Sequence, residues 1–337
     1  MSLWGSLRKH LFGAPRSSGR VDRFEVEPGG LVVLTTRHTL QVQGAPIAVR
    51  SYVTQGLAAH GQLEMVFTLR DNSGVAEDAL LRKLASLFSR FRQLAEEGRT
   101  VDVGDVTIFG EHRLFPGMHV LYTPASPIPG LPVPSRALSL LLITDSELEL
   151  VQRCGPARMM TALGKAYSHY PCPSWSDIHR PELPVAAMLE QSLLPRVSHS
   201  RVWSARVVKQ DADIVLRIAP GQHPQFRQLF EQLPEETQPF ALLTGIDEVA
   251  DGCLAWEPGQ TGPVAISPPG GRGERISGCF LLVLPGMEQE EARLHEDGFI
   301  WSLSAASSKA LWTALCEGQG LALLVGGHRL RVEWAAP

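Results

Sequence analysis

Apolar and polar residues alternate along QLEMVFTLR. Leu63, Met65, Phe67 and Leu69 interleave with Gln62, Glu64, Val66 and Thr68, the two-residue period of a strand with one buried face. DNSG at 71–74 reads as a turn. The period then lengthens: Leu80, Leu81, Leu84, Leu87, Phe88, Phe91, Leu94 and Ala95 recur every three or four positions, and Gly98 is placed to end the element. This pattern predicts an amphipathic helix packed on a sheet. Leu31–Leu34 and the stretches 41–56, 101–110 and 118–124 are further strand candidates, and SLLLITDSELEL at 139–150 reads as a buried strand and its exit. Between the last two, PASPIPGLPVPS carries five prolines and reads as a rigid crossing loop, with a ligand for proline-reading modules as the alternative. Pro156 opens a predicted helix with Met159, Met160, Leu163 and Tyr167 on one face, and another helix is expected around Leu183–Leu194.

The pattern changes character near Leu194–Ser200. Strands are expected at Arg201–Val208 and Asp213–Ile218, then a helix opened by Pro224 with Phe226, Leu229, Phe230 and Leu233 on one face. Further strands are expected at Phe240–Leu243, Cys253–Trp256, Ile276–Leu284 and Phe299–Leu303, followed by a helix at Ser304–Cys316 and two strands around Gly326-Gly327-His328. Strict βαβ repetition is absent, so the expected fold class is α+β. The expectation is two consecutive α+β domains, 25–197 and 198–337, each a mainly antiparallel or mixed sheet with packed helices, behind a flexible leader at 1–24. In that leader Trp4, Leu7, Leu11 and Phe12 have the spacing of a short amphipathic turn, against which stands a frayed terminus.

Composition narrows the function classes. With 31 Lys+Arg against 35 Asp+Glu the 337-residue chain is no basic nucleic-acid wrapper, and at 44% hydrophobic it can bury substantial cores. No apolar run is long enough to span a bilayer or serve as a signal peptide. Cys154, Cys172, Cys253, Cys279 and Cys316 form no CxxC pair, which removes zinc ribbons, FYVE- and RING-type fingers and thioredoxin-like chemistry. Unpaired cysteines suit a reducing, cytoplasmic setting.

Candidate chemistry is sparse. GGRGERISG at 270–278 is followed by a strand instead of a helix, so no helix amides would meet a phosphate. HYPCPSWSDIH gathers His169, Cys172, Asp177 and His179, residue types that suit zinc or a thiol nucleophile, yet packing of Cys172 beside Tyr170 and Trp175 explains it equally. Asp145, Glu147 and Glu149 alternate and would share a face if the strand continued through them; acid/base work and a solvated strand edge are both open. No cofactor is implied.

These segments also carry a family resemblance. RSYVTQGLAAHGQLEMVFTLR at 50–70 resembles the opening block of the C-terminal domain of endosomal FYVE proteins, the Smad anchor for receptor activation and endofin, with Tyr52, Gly56, Gly61, Gln62 and Glu64 matching. AYSHYPCPSWS is similar to that family's Tyr-Pro-Cys-Pro segment through Tyr167, Tyr170, Pro171, Cys172 and Pro173. RISGCFLLVLPG resembles its apolar strand through Gly278 and Phe280, and DGFIWSLSAASSKALWTAL its Asp-Gly-strand-helix ending through Asp297 and Gly298. A fainter likeness is to suppressor-of-fused-type domains. The resemblance spans about residues 30–335 and implies an α+β domain pair associated with scaffolding of signalling proteins, with no catalytic residues to carry over. The chain has neither the FYVE finger nor a long disordered Smad-binding region. The functional expectation is a protein-interaction or scaffold module whose partner is another protein, not a nucleic acid. The alternative is a small-ligand or metal-binding protein or enzyme using His169, Cys172, Asp177 and His179.

Overall fold

Two long strands, β2 (Val32–Val42) and β3 (Ala45–Gln55), pair antiparallel across Gln43-Gly44, both at positive φ as a two-residue hairpin turn requires. With β1 (Asp22–Glu25), β4 (Met65–Arg70), β5 (Val106–Thr107), β6 (Met118–Pro124) and β7 (Leu138–Thr144) they form a seven-stranded sheet of order β1-β2-β3-β4-β7-β6-β5. The helix α1 (Glu77–Glu96) presents Leu80, Leu84, Phe88 and Phe91 to one face, where they join Tyr52, Phe67, Val120 and Leu140 in a core. Gly98, at φ 76, follows the helix as its left-handed terminator. The proline-punctuated loop covers part of the opposite face, burying Ala125, Ile128 and Leu131 against Val32, Leu34, Val53 and Val66.

The computed structural model describes residues 19–110, 114–232, 238–247, 249–260 and 262–335. The leader residues Trp4, Leu7, Leu11 and Phe12, and Leu233, lie outside them. Within these limits the chain forms two compact α+β units interleaved in sequence, the first ending at Leu148 and regaining Pro173–Glu182, the second taking Glu149–Cys172 and Leu183 onward. Where the sequence suggests one cut near Leu194–Ser200, helix α3 (Pro156–Tyr167) instead packs on strands of the second unit.

In that second unit an eleven-stranded mixed sheet is built around β8 (Ser198–Gln210). The first part of β8 pairs parallel with β10 (Phe240–Gly245), and its last residues pair with β9 (Asp213–Ile218) and β13 (Arg275–Gly278). The expected single strand Ile276–Leu284 is thereby split at Cys279. Its first part lies on β8, while β14 (Phe280–Leu284) lies on β10, which is interposed between it and β8. β11 (Gly252–Ala255) and the short β12 (Val264–Ile266) extend one arm. β15 (Glu291–His295), β16 (Gly298–Ser302), β17 (Leu321–Val325) and β18 (His328–Trp334) complete the others. Helices α5 (His223–Gln232) and α6 (Ala305–Glu317) bury Phe226, Phe230, Leu311 and Leu315 against Leu242, Val283 and Trp301. Ser304 caps α6 by accepting from the Ser307 amide at 3.2 Å. The expected helix near 183–194 is the shorter α4 (Val185–Gln191), and of the strand candidate at 101–110 only Val106–Thr107 pairs.

One expectation is overturned. Asp145, Glu147 and Glu149 do not alternate along a strand; they belong to helix α2 (Asp145–Cys154). Thr144-Asp-Ser-Glu147 is a capping box. The Glu147 amide donates to Thr144 Oγ1 at 3.3 Å, and the Thr144 amide donates to Glu147 Oε2 at 2.9 Å. At helical spacing, residues two apart point to opposite sides, so Glu147 points away from Asp145 and Glu149, which lie four apart on one face.

No helix among the described residues is long and apolar enough to cross a membrane.

Candidate functional site

The residues singled out in the sequence fall into three places. The first is the β3–β4 connection. Glu64, buried, accepts Thr54 Oγ1 at 2.6 Å on one oxygen and the amides of Gly56 and Ala58 at 2.8 and 3.1 Å on the other. Gln62 holds Val101 in both directions, accepting its amide at 2.8 Å and donating to its carbonyl at 3.1 Å. Gly56, at φ 119, runs so close to Gly30 that a Cβ would sit 2.4 Å from its carbonyl oxygen, and Gly61, at φ 84, ends a 3-10 turn at Ala58–His60. Tyr52 is fully buried, and burial pushes its hydroxyl pKa up to about 12. The acid and the amide close the turn. Both side chains are buried.

The second place is the segment Tyr167–His179, which the two units share. Tyr167, His169, Tyr170, Pro171 and Cys172 belong to the second unit; Pro173, Asp177 and His179 belong to the first. Tyr170 donates to the Ala250 carbonyl at 3.2 Å, and burial pushes its pKa well up. Burial pushes the His169 pKa down, which keeps that imidazole neutral. Gly164 admits the chain as it folds back, since a Cβ there would lie 2.1 Å from the Pro171 carbonyl oxygen. Cys172 is buried.

Beyond Pro173 the chain performs a sheet repair. β4 and β7 are paired only at Met65–Leu138 and Val66–Ser139. Past that point Ser176 bridges them: its amide donates to Thr68, its carbonyl accepts from Arg70, and its hydroxyl accepts from the Leu142 amide at 3.0 Å. Asp177 locks the bridge, accepting Arg70 at 2.7 Å, Asn72 at 3.3 Å and the His179 amide at 3.0 Å. Burial raises its pKa, but these donors outweigh burial and hold the carboxyl below its usual range. Arg180 then pairs with buried Glu147 of the capping box. No group of three or more His, Cys, Asp or Glu side chains among the described residues is arranged to hold a metal ion.

The third place, in the second unit, is centred on Arg158, a residue that the sequence pattern does not single out. Arg158, in the first turn of α3, is 1% exposed and meets Asp297 through Nε at 3.0 Å, Glu296 through Nη2 at 2.6 Å and Ser192 through Nη1 at 2.6 Å. Its guanidinium carbon lies 5.3 Å from the Trp256 ring centroid and 5.5 Å from that of Phe280. Burial alone would lower the Arg158 pKa, but the two carboxylates outweigh it and keep the cation charged. A cation in the first helical turn opposes the helix dipole, and the same carboxylates offset that too. Glu296 and Asp297 form the two-residue turn between β15 and β16, and Glu296 also accepts the Leu193 amide at 2.7 Å. The matched residues Gly278, Phe280, Asp297 and Gly298 all lie around this centre. A Cβ on Gly298 would come 2.5 Å from the Phe280 carbonyl oxygen, and one on Gly278 would come 2.6 Å from Phe299. His-Glu-Asp-Gly between a charged strand and an apolar one was the available signal for a hairpin turn. The long-range partner on α3 had none.

Chemically, the Arg158 centre is a buried ion cluster. Arg158 carries five N–H donors, and its hydrogen bonds to Asp297, Glu296 and Ser192 engage most of them where water does not reach. The remaining cysteines are equally quiet, since burial pushes the thiols of Cys154, Cys253, Cys279 and Cys316 up, away from the reactive thiolate.

Compared with known proteins, the chain matches no protein-family model and no curated protein.

Proposed function

We propose that this protein is an interaction or scaffold module without catalytic chemistry, the role that the resemblance to the C-terminal domain of the endosomal FYVE proteins implies. One observation carries the reading. The polar side chains whose types suggest chemistry are spent inside the fold: Glu64 and Gln62 on a turn, Asp177 on a sheet seam, Arg158 and Asp297 on a helix–hairpin joint. A catalytic acid, base or nucleophile must instead have a lone pair or proton free toward substrate. The partner class is another protein, and the setting a cytoplasmic one.

The test is affinity capture from native lysate with the full chain and with Cys172→Ser. The expected result is one specific partner recovered equally by both, because the thiol serves packing. Failure to recover a specific partner, or a turnover reaction lost in Cys172→Ser at unchanged melting temperature, would overturn the proposal.

A further inference from the structure

The described part of the two sheets ends in five edge strands, and four of them carry features that discourage further pairing. β1 is Asp-Arg-Phe-Glu, and β15 bears Glu291, Arg293 and His295. β5 has two residues, and β12 has three, flanked by Pro263 and Pro268. β17 is different. Its sequence, Leu-Ala-Leu-Leu-Val, has no charge and no proline, and its only strand partner among the described residues is β18. Leu324, its fourth residue, is 76% exposed, the most exposed of the large apolar side chains described.

The hairpin fixes which backbone groups are free. Gly326 and Gly327, at φ 55 and 81, make the two-residue turn that closes on the pair Val325–His328. Such a turn closes on a hydrogen-bonded pair, so Val325, Leu323 and Leu321 direct their N–H and C=O groups to β18, and Ala322 and Leu324 direct theirs outward. The side chains follow the complementary alternation. Leu321 and Leu323 pack on the core of α5 and α6, while Leu324 stands on the other face.

We propose that β17 is a self-association edge, occupied by β17 of a second copy in antiparallel register about a two-fold axis at Leu323. The register satisfies both alternations at once. Ala322 and Leu324 of one copy become hydrogen-bonded pairs with Leu324 and Ala322 of the other, using the four outward N–H and C=O sets. On the exposed face each large Leu324 meets a small Ala322, and no charged side chain of β17 is opposed by its like. A strand of another protein would satisfy the backbone equally, but the small-against-large match is one that the strand makes with itself. The contact is short, so association is expected to be weak and concentration-dependent. Self-association requires no third molecule, so its failure leaves the scaffold reading untouched.

Sedimentation velocity of the full chain over a micromolar concentration series tests this, alongside Leu324→Lys and Leu324→Glu. Both substitutions fall on an exposed side chain and should leave the melting temperature of the dilute protein unchanged. The expected result is a wild-type mass that rises to twice that of one chain. Each variant alone should stay at the single-chain mass, and mixing the two should restore the doubled mass. A wild type that stays at the single-chain mass throughout would overturn the proposal. So would a doubled mass that both variants keep, and so would a monomeric wild type whose edge is protected by an added extended apolar peptide.

Discussion

Gly56 and Gly61 sit five residues apart in the same turn, both at positive φ, and the surroundings separate them. Nothing lies within 4 Å of a Cβ placed on Gly61, so a side chain there meets only the backbone cost of the left-handed conformation. Gly61→Val should therefore cost about 1–2 kcal/mol, with Gly61→Asn recovering most of it. At Gly56 the Cβ would meet the Gly30 carbonyl oxygen, a backbone atom that cannot move alone. Gly56→Ala should cost more than Gly61→Val despite adding the smaller group, read from urea midpoints of the three variants. His38 makes the second residue-scale prediction. Its Nε2 lies 2.8 Å from Ser51 Oγ, which lies 2.7 Å from Thr68 Oγ1, all buried in the first unit. Burial lowers its pKa below the ordinary 6.5, so the folded chain takes up this proton less readily than the unfolded chain does. The contribution is complete above the unfolded pKa and is lost as the pH falls below it. His169 adds to the loss in the same direction. Urea midpoints should fall between pH 7.5 and pH 5.5, and His38→Gln should flatten that slope; an unchanged slope would show that His38 titrates normally in the fold.

At the scale of elements, periodicity carried much of the information and long-range closure carried the rest. The helix Glu77–Glu96 and the hairpin Leu321–Trp334 follow from spacing alone because their own residues decide them. The strand that the alternating carboxylates suggest does not continue through Asp145–Glu149, because Thr144-Asp-Ser-Glu147 is a capping box that starts a helix there. The break at Cys279 was illegible for a different reason, since β8 and β10, which lie between β13 and β14 in the sheet, come from far upstream in the chain. Ser176 belongs to the same class. Nothing local marks it as the staple between β4 and β7, yet removing its hydroxyl leaves the Leu142 amide without that acceptor. Ser176→Ala should cost about 1–3 kcal/mol, and hydrogen exchange should accelerate at Leu142 ahead of the rest of β7. Arg158→Ala, which strands two buried carboxylates, should cost more, about 3–5 kcal/mol.

For the whole molecule, the α+β class and the two sheets follow from the sequence pattern, and the interleaving of the units does not. A linear reading assigns each element to its neighbours, whereas Pro156–Tyr167 finds its apolar contacts on strands that come later in the chain. His169 and Cys172 lie in one unit and Asp177 and His179 in the other, where Asp177 is held by Arg70, Asn72 and a backbone amide. We propose that these residue types serve the fold and not a reaction. The most direct measurement is alkylation of the native chain by a small thiol reagent, with each cysteine followed by mass spectrometry. Cys316, the half-buried one, should react first, and Cys172, with the other buried thiols, should react only as fast as the protein unfolds. Stoichiometric modification of Cys172 in the folded protein, at or above the rate of an unfolded thiol, would contradict the account.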